Sequence, residues 1–192
     1  VSPADAAVFQ EIAGYLLYPH PGLRADAGLL LRNRGAQPLL WSQGISGDWP
    51  IILSTIESPE GLPTLRQAFA AHRYMRRRGM MVDLLVLIRQ PSSYLQELQE
   101  RVMEALFASS DVGTDMPGGV FVRRADQLGS EELLMLEVTA RVHLECDGRS
   151  LARIVELATA VSPPLPPEDE NGAAAPRVLE RGRAKWEELG RR

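Results

Sequence analysis

Apolar positions at helical spacing open the chain. In SPADAAVFQEIAGYLLYP, Val8, Ile12 and Leu16 form a stripe that Ala13 and Leu17 widen. That spacing predicts an amphipathic helix. Ser2 is a suitable N-cap, Pro3 suits the first helical position, and Asp5 stands where a capping partner belongs. Pro19 and Pro21 end the segment, and a second helix is predicted from Pro21 to about Arg34, closed by Gly35.

Beyond residue 50 apolar runs alternate with helical stripes. Ile51 to Ile56 (IILSTI) and Met81 to Ile88 (MVDLLVLI) read as buried strands, and Gly119 to Val122 (GVFV) as a third. Pro63 to Arg78 is helical, with Leu65, Phe69, His72 and Met75 on one stripe and Gly79 as its stop. Ser92 to Ser109 is the next helix, capped by Ser92 or Ser93. Ser130 is expected to cap a helix running to about Leu144, and a shorter helix spans Ser150 to about Ala160. Strands joined by helices through short connections imply right-handed crossovers and parallel pairing. The predicted fold is α/β: a small parallel sheet of about three or four strands with helices packed around it, preceded by two helices.

The expected organisation is a helical pair over 1–36, an α/β domain over 37–161, a proline-rich acidic linker over 162–176 and a helical tail over 177–192. The chain opens at Val1 without a methionine, so it is expected to be a piece of a longer protein. At 192 residues, 45% hydrophobic and 24% charged, it has the composition of a globular domain. A net charge of −4 argues against nucleic acid or a membrane surface as a general partner. No apolar run reaches the roughly 18 residues a membrane helix needs. The single cysteine, Cys146, has no partner for an internal disulfide.

The stretch LWSQGISGDWP, Leu40 to Pro50, is the densest in unusual residues: Trp41, Gly44, Ser46, Gly47, Asp48 and Trp49. A phosphate-binding glycine loop follows a strand and opens a helix. This one precedes a strand, lacks the P-loop lysine and does not match the nucleophile elbow. It reads as a turn with its tryptophans packed on neighbours, or as a contact surface for another domain.

Ligands of open parallel sheets bind at the carboxyl ends of strands. Ser54, Thr55 and Glu57 lie at the carboxyl end of the first predicted strand, Arg89, Gln90 and Ser92 follow the second, and Arg123, Arg124 and Asp126 the third. Arg89, Gln90, Ser92 and Arg123 are the candidate ligand-binding residues, against the plainer reading of a helix cap with solvated charges. A pocket beside Asp48 would move the site to the other end of the sheet. No set of residues supports catalysis or a metal, and no cofactor is expected. Asp83, inside an apolar strand, needs a buried partner, which one of Arg73, Arg76, Arg77 and Arg78 or a backbone N–H can supply.

In order and spacing, VFQEIAGYLLYP, LWSQGISGDWPIIL, RRRGMMVDLLVLI, PSSYLQELQ and GGVFVRRADQL resemble the bacterial cyclic β-1,2-glucan synthases, from about Val8 to Leu157. The resemblance implies a very large inner-membrane parent that builds and cyclises β-1,2-glucan from UDP-glucose. It also implies a C-terminal region similar to the family 94 phosphorylases, with this segment lying between two β-sandwich-like modules. The chain then ends just short of the next module. No catalytic residue carries over. The implied role is a non-catalytic docking module whose partners are neighbouring modules of the parent. The alternative is a carbohydrate or nucleotide-sugar binding module at the strand ends, with β-1,2-glucan as a possible partner. The implied location is the cytoplasmic face of the inner membrane, where UDP-glucose is made.

Overall fold

The structure is a computed structural model and describes residues 1–89, 95–109 and 113–160. Gln90, Ser92, the expected linker and the expected tail lie outside the described residues.

Four strands, β1 (Ile51–Ile56), β2 (Asp83–Ile88), β3 (Val120–Arg124) and β4 (Val142–Cys146), form one sheet in the order β3-β2-β1-β4. Every pairing is parallel, with Leu53 opposite both Leu85 and His143. The α/β reading therefore holds. The helices are α1 (Pro3–Leu17), α2 (Ala27–Arg32), α3 (Pro38–Trp41), α4 (Leu62–Arg77), α5 (Leu95–Ser109), α6 (Ser130–Thr139) and α7 (Leu151–Ala160).

Side chains alternate across each strand, so the sheet builds two cores. Ile52, Ile56, Leu84, Val86, Ile88, Val142 and Leu144 pack with α1, α4, α5 and α7 on one face. Ile51, Leu53, Leu85, Leu87 and Phe121 pack with Leu40, Ile45 and α6 on the other. The α4 and α5 crossovers carry the chain outward from β1 to β3. The α6 crossover then returns it past β1 to place β4 on the opposite side. The direction of strand addition thus reverses between β1 and β4.

The N-terminal cap forms as the sequence predicts: Ser2 Oγ accepts from Asp5 N–H at 3.0 Å, and the Asp5 carboxylate accepts from Ser2 N–H at 3.0 Å. Three expectations are corrected. Residues 21–34 form a short 3-10 turn and then α2, not one helix, and Asp26 caps α2 through a bond from Leu29 N–H at 2.9 Å. Gly129, not Ser130, is the N-cap of α6, closed by Glu132, which accepts from Gly129 N–H at 2.9 Å. The helix expected to reach Leu144 stops at Thr139, and VHLEC is strand β4.

Asp83 is fully buried, and a backbone N–H answers it: Gly118 donates to Oδ1 at 2.6 Å. The other carboxylate oxygen has no hydrogen-bond partner, and burial pushes the Asp83 pKa up. Arg76 donates to the Gly118 carbonyl, holding the same turn, and Arg73 donates to the Ser109 carbonyl at 2.7 Å. Arg78 lies 4.4 Å from the Tyr74 ring centre. Arg73 and Arg76 thus tie the end of α4 to neighbouring elements, while Arg78 stacks on its own helix.

His72 is buried beside this cluster with Nε2 2.8 Å from the Val82 carbonyl, so Nε2 carries the proton. Burial holds its pKa below the ordinary imidazole value. Below about pH 6.5 the unfolded chain binds a proton there that the folded chain refuses, so folding loses stability as pH falls through that value. Asp83, shifted upward, acts in the opposite direction and gains stability on acidification. His72→Gln, which keeps an N–H donor, is expected to flatten the acid limb of the unfolding free energy, measured by urea titration, by up to about 1.4 kcal/mol per pH unit. An unchanged limb would assign the acid sensitivity elsewhere.

Candidate functional site

The reversal between β1 and β4 is where open parallel sheets place ligands, beyond the carboxyl ends of the strands. A cavity of about 570 Å³ lies there. Its polar lining comes from β1 (Thr55), the turn after it (Glu57, Ser58), the end of β2 (Arg89), α6 (Glu137) and β4 with its following turn (His143, Glu145, Asp147). Leu29 and Leu53 supply apolar wall.

The basic groups in this lining are already engaged. Arg89 pairs with Glu137, and its backbone N–H donates to the Ile56 carbonyl at 2.9 Å. His143 Nε2 lies 2.8 Å from the Glu137 carbonyl, which only accepts, so Nε2 carries the proton and Nδ1 is left as an acceptor. Burial holds the His143 pKa down, which favours the neutral ring. Arg149 holds the Asp147 carboxyl below its usual range. The Glu57 and Glu145 carboxylates accept no hydrogen bond from the described residues.

Cys146 is no nucleophile. Burial pushes its thiol up to about 12, so the thiolate is scarce at neutral pH. Neighbouring Ser54 is fully buried and, in phase with Ile52 and Ile56 on β1, faces the same core as Cys146. Among the described residues no group of three or more His, Cys, Asp or Glu is placed to hold a metal.

The strand-end candidates divide. Thr55, Glu57 and Arg89 line the cavity. Arg123 lies on β3, separated from β4 by both β2 and β1, where it pairs with Asp115 at 2.8 Å and donates to the Gln43 carbonyl at 2.5 Å. Arg124 pairs with Asp126 at 2.7 Å. His143, Glu145 and Asp147 were not among the sequence candidates, because β4 and the turn after it were not read as a strand and its end. The alternation of buried and accessible positions in VHLEC is the signal that marks His143 and Glu145.

The tryptophan-rich loop runs along the α6 face of the sheet. Near its start, Gln43 donates to Glu132 at 2.8 Å, and its carbonyl is held by Arg123. At its end, Trp49 and Pro50 feed the amino end of β1. Gly44 and Gly47 have φ of +74° and +79°, which L side chains rarely adopt, so both turns need glycine. The expectation of packed tryptophans is corrected: Ile45 is the buried anchor, while Trp41 and Trp49 are 58% and 39% exposed. Trp41 Nε1 donates to the Ser46 carbonyl at 3.2 Å. A second cavity, of about 290 Å³, opens beside Asp48 at the amino ends of β1 and β4, so the expectation of a site at the carboxyl ends alone is corrected: both ends of the sheet carry a cavity.

No family model matches the chain. Over 99 residues, 52% of its length, it is 40% identical to the cyclic beta-(1,2)-glucan synthase NdvB of Rhizobium meliloti (strain 1021). The chain is a relative of that synthase over this stretch. The match spans 4% of the synthase's own length, so it concerns one small part of a much larger protein. No helix among the described residues is long and apolar enough to cross a membrane.

Proposed function

We propose that this chain is a non-catalytic carbohydrate-binding module of a glucan-synthesising protein, taking neutral sugar at the carboxyl ends of β1 and β4. The observation that carries the reading is the cavity at the strand reversal, with a lining rich in acceptors and poor in free donors. Four carboxylates line it, while its one guanidinium is paired. Such a surface repels phosphate and welcomes hydroxyl groups, which donate to carboxylates in charge-assisted bonds. A neutral glucan therefore suits it better than a nucleotide sugar. Similarity to a glucan synthase supports the same ligand class. In this reading the parent is a membrane glucosyltransferase with a phosphorylase-like region, and the module lies on its cytoplasmic side.

The test is an NMR titration with linear β-1,2-linked gluco-oligosaccharides, UDP-glucose and inorganic phosphate. Saturable shifts at Thr55, Glu57, His143 and Glu145 are expected with the neutral oligosaccharide alone. Glu57→Gln with Glu145→Gln is expected to weaken binding about tenfold or more, as loss of hydrogen bonds to charged groups does. Shifts driven by phosphate, or centred on Arg123, would sink the reading.

One observation favours docking as a second reading. Trp41 is fixed by its bond to Ser46 yet presents 58% of its surface to solvent. An oriented, exposed aromatic is typical of contact surfaces, and the neighbouring modules of the parent would be its partners.

A further inference from the structure

We infer that the cavity at the amino ends of β1 and β4 is a second, separate sugar site, built to hold one pyranose ring against Trp49. It does not rest on the carboxyl-end cavity and shares no residue with it.

Three segments far apart in sequence converge there: the end of α1 (Leu16, Leu17), the glycine loop (Asp48, Trp49) and the connection from α6 to β4 (Thr139, Arg141). Leu16 is buried and Leu17 exposed, so the wall is apolar where it meets solvent. Trp49 adds an indole whose N–H makes no hydrogen bond to the described residues. The Asp48 carboxylate likewise accepts none, although its own N–H donates to Ser46 Oγ at 3.2 Å. Arg141 donates from Nη1 to the Leu16 carbonyl at 3.3 Å and forms no ion pair with Asp48.

An acid and a base therefore share a small cavity without neutralising each other. The same cavity is lined by Trp49, an aromatic residue with an unused donor. The matching ligand has one apolar face for the ring and an edge carrying both donors and acceptors. A pyranose has that form: axial C–H bonds make its faces apolar, and its hydroxyls both donate to Asp48 and accept from Arg141 and the indole. A volume near 290 Å³ limits the site to a unit of that size, at the small end of ligand pockets. Gly47, at φ +79°, makes the turn that brings Asp48 and Trp49 to the cavity.

Intrinsic fluorescence of the full chain carrying Trp41→Phe and Trp186→Phe tests this, because Trp49 is then the single remaining tryptophan of three. Glucose and linear β-1,2-linked gluco-oligosaccharides are expected to produce a saturable blue shift as the indole loses water. Asp48→Asn, an exposed and isosteric change, is expected to raise the midpoint about tenfold. Glu57→Gln, in the other cavity, is expected to leave it unchanged. A flat titration with both sugars overturns the inference, as does a shift indifferent to Asp48→Asn. A shift with zwitterionic alanine and none with sugar would assign the cavity to an amino acid. Because Glu57 and Asp48 report separately, failure here leaves the carboxyl-end reading standing.

Discussion

Truncation of Phe121 to alanine is expected to lower the unfolding free energy by about 3–5 kcal/mol, the usual cost of deleting a buried aromatic. Phe121 is fully buried on β3, opposite Leu85, where its ring joins Leu87 and the α6 residues Leu136 and Val138 in one cluster. The Arg123 guanidinium stands 5.7 Å from the ring centre, so the same ring supports the arginine that clamps the Gln43 carbonyl. With β3 at the edge of the sheet, a void there has a neighbouring strand on one side only. Urea unfolding followed by circular dichroism measures the loss. A change below about 1 kcal/mol would mean that α6 closes over the gap, since cavity cost depends on how far a site collapses.

Gly61→Ala is expected to cost about 2–3 kcal/mol, at the upper end of ordinary overpacking, and to weaken sugar binding at the carboxyl-end cavity. The backbone of Gly61 is ordinary for any residue; the obstacle is space. A Cβ there would fall inside contact distance of the Cys146 carbonyl, which is backbone and cannot swing aside. The turn after β4 is also clasped to α4: Thr64 Oγ1 donates to the Arg149 carbonyl at 2.6 Å and accepts from Gly148 N–H at 3.0 Å. Gln67 Oε1 accepts from Leu151 N–H at 2.9 Å at the start of α7. Pushing α4 from β4 therefore strains these bonds together and moves Cys146 and Asp147 in the cavity wall. Thermal melting and the oligosaccharide titration read the two effects. A variant with normal stability and binding would show that the start of α4 is freer than this clasp implies.

The local sequence determined most of the scaffold. IILSTI and DLLVLI are continuous apolar runs because helices cover both faces of β1 and β2, and such runs are legible without knowledge of their neighbours. The cap of α1 was equally readable, since the bonds that close it run between Ser2 and Asp5, three residues apart. The glycines of the loop announced turns, though not which residue would anchor them. Ile45 took that role because it faces the sheet, while the tryptophans stayed outside.

Strand β4 and the cavities were decided by tertiary structure. His143 and Glu145 face the carboxyl-end cavity, which leaves VHLEC with polar residues where a doubly buried strand would be apolar. Its identity as a strand came from pairing with β1, a partner more than eighty residues earlier in the chain. That pairing also reverses the strand order, which is what opens one cavity at the carboxyl ends of β1 and β4 and another at their amino ends. Local pattern reports which face of a segment is buried. Where the chain turns back, and so which distant side chains meet, is fixed only when the crossovers are packed.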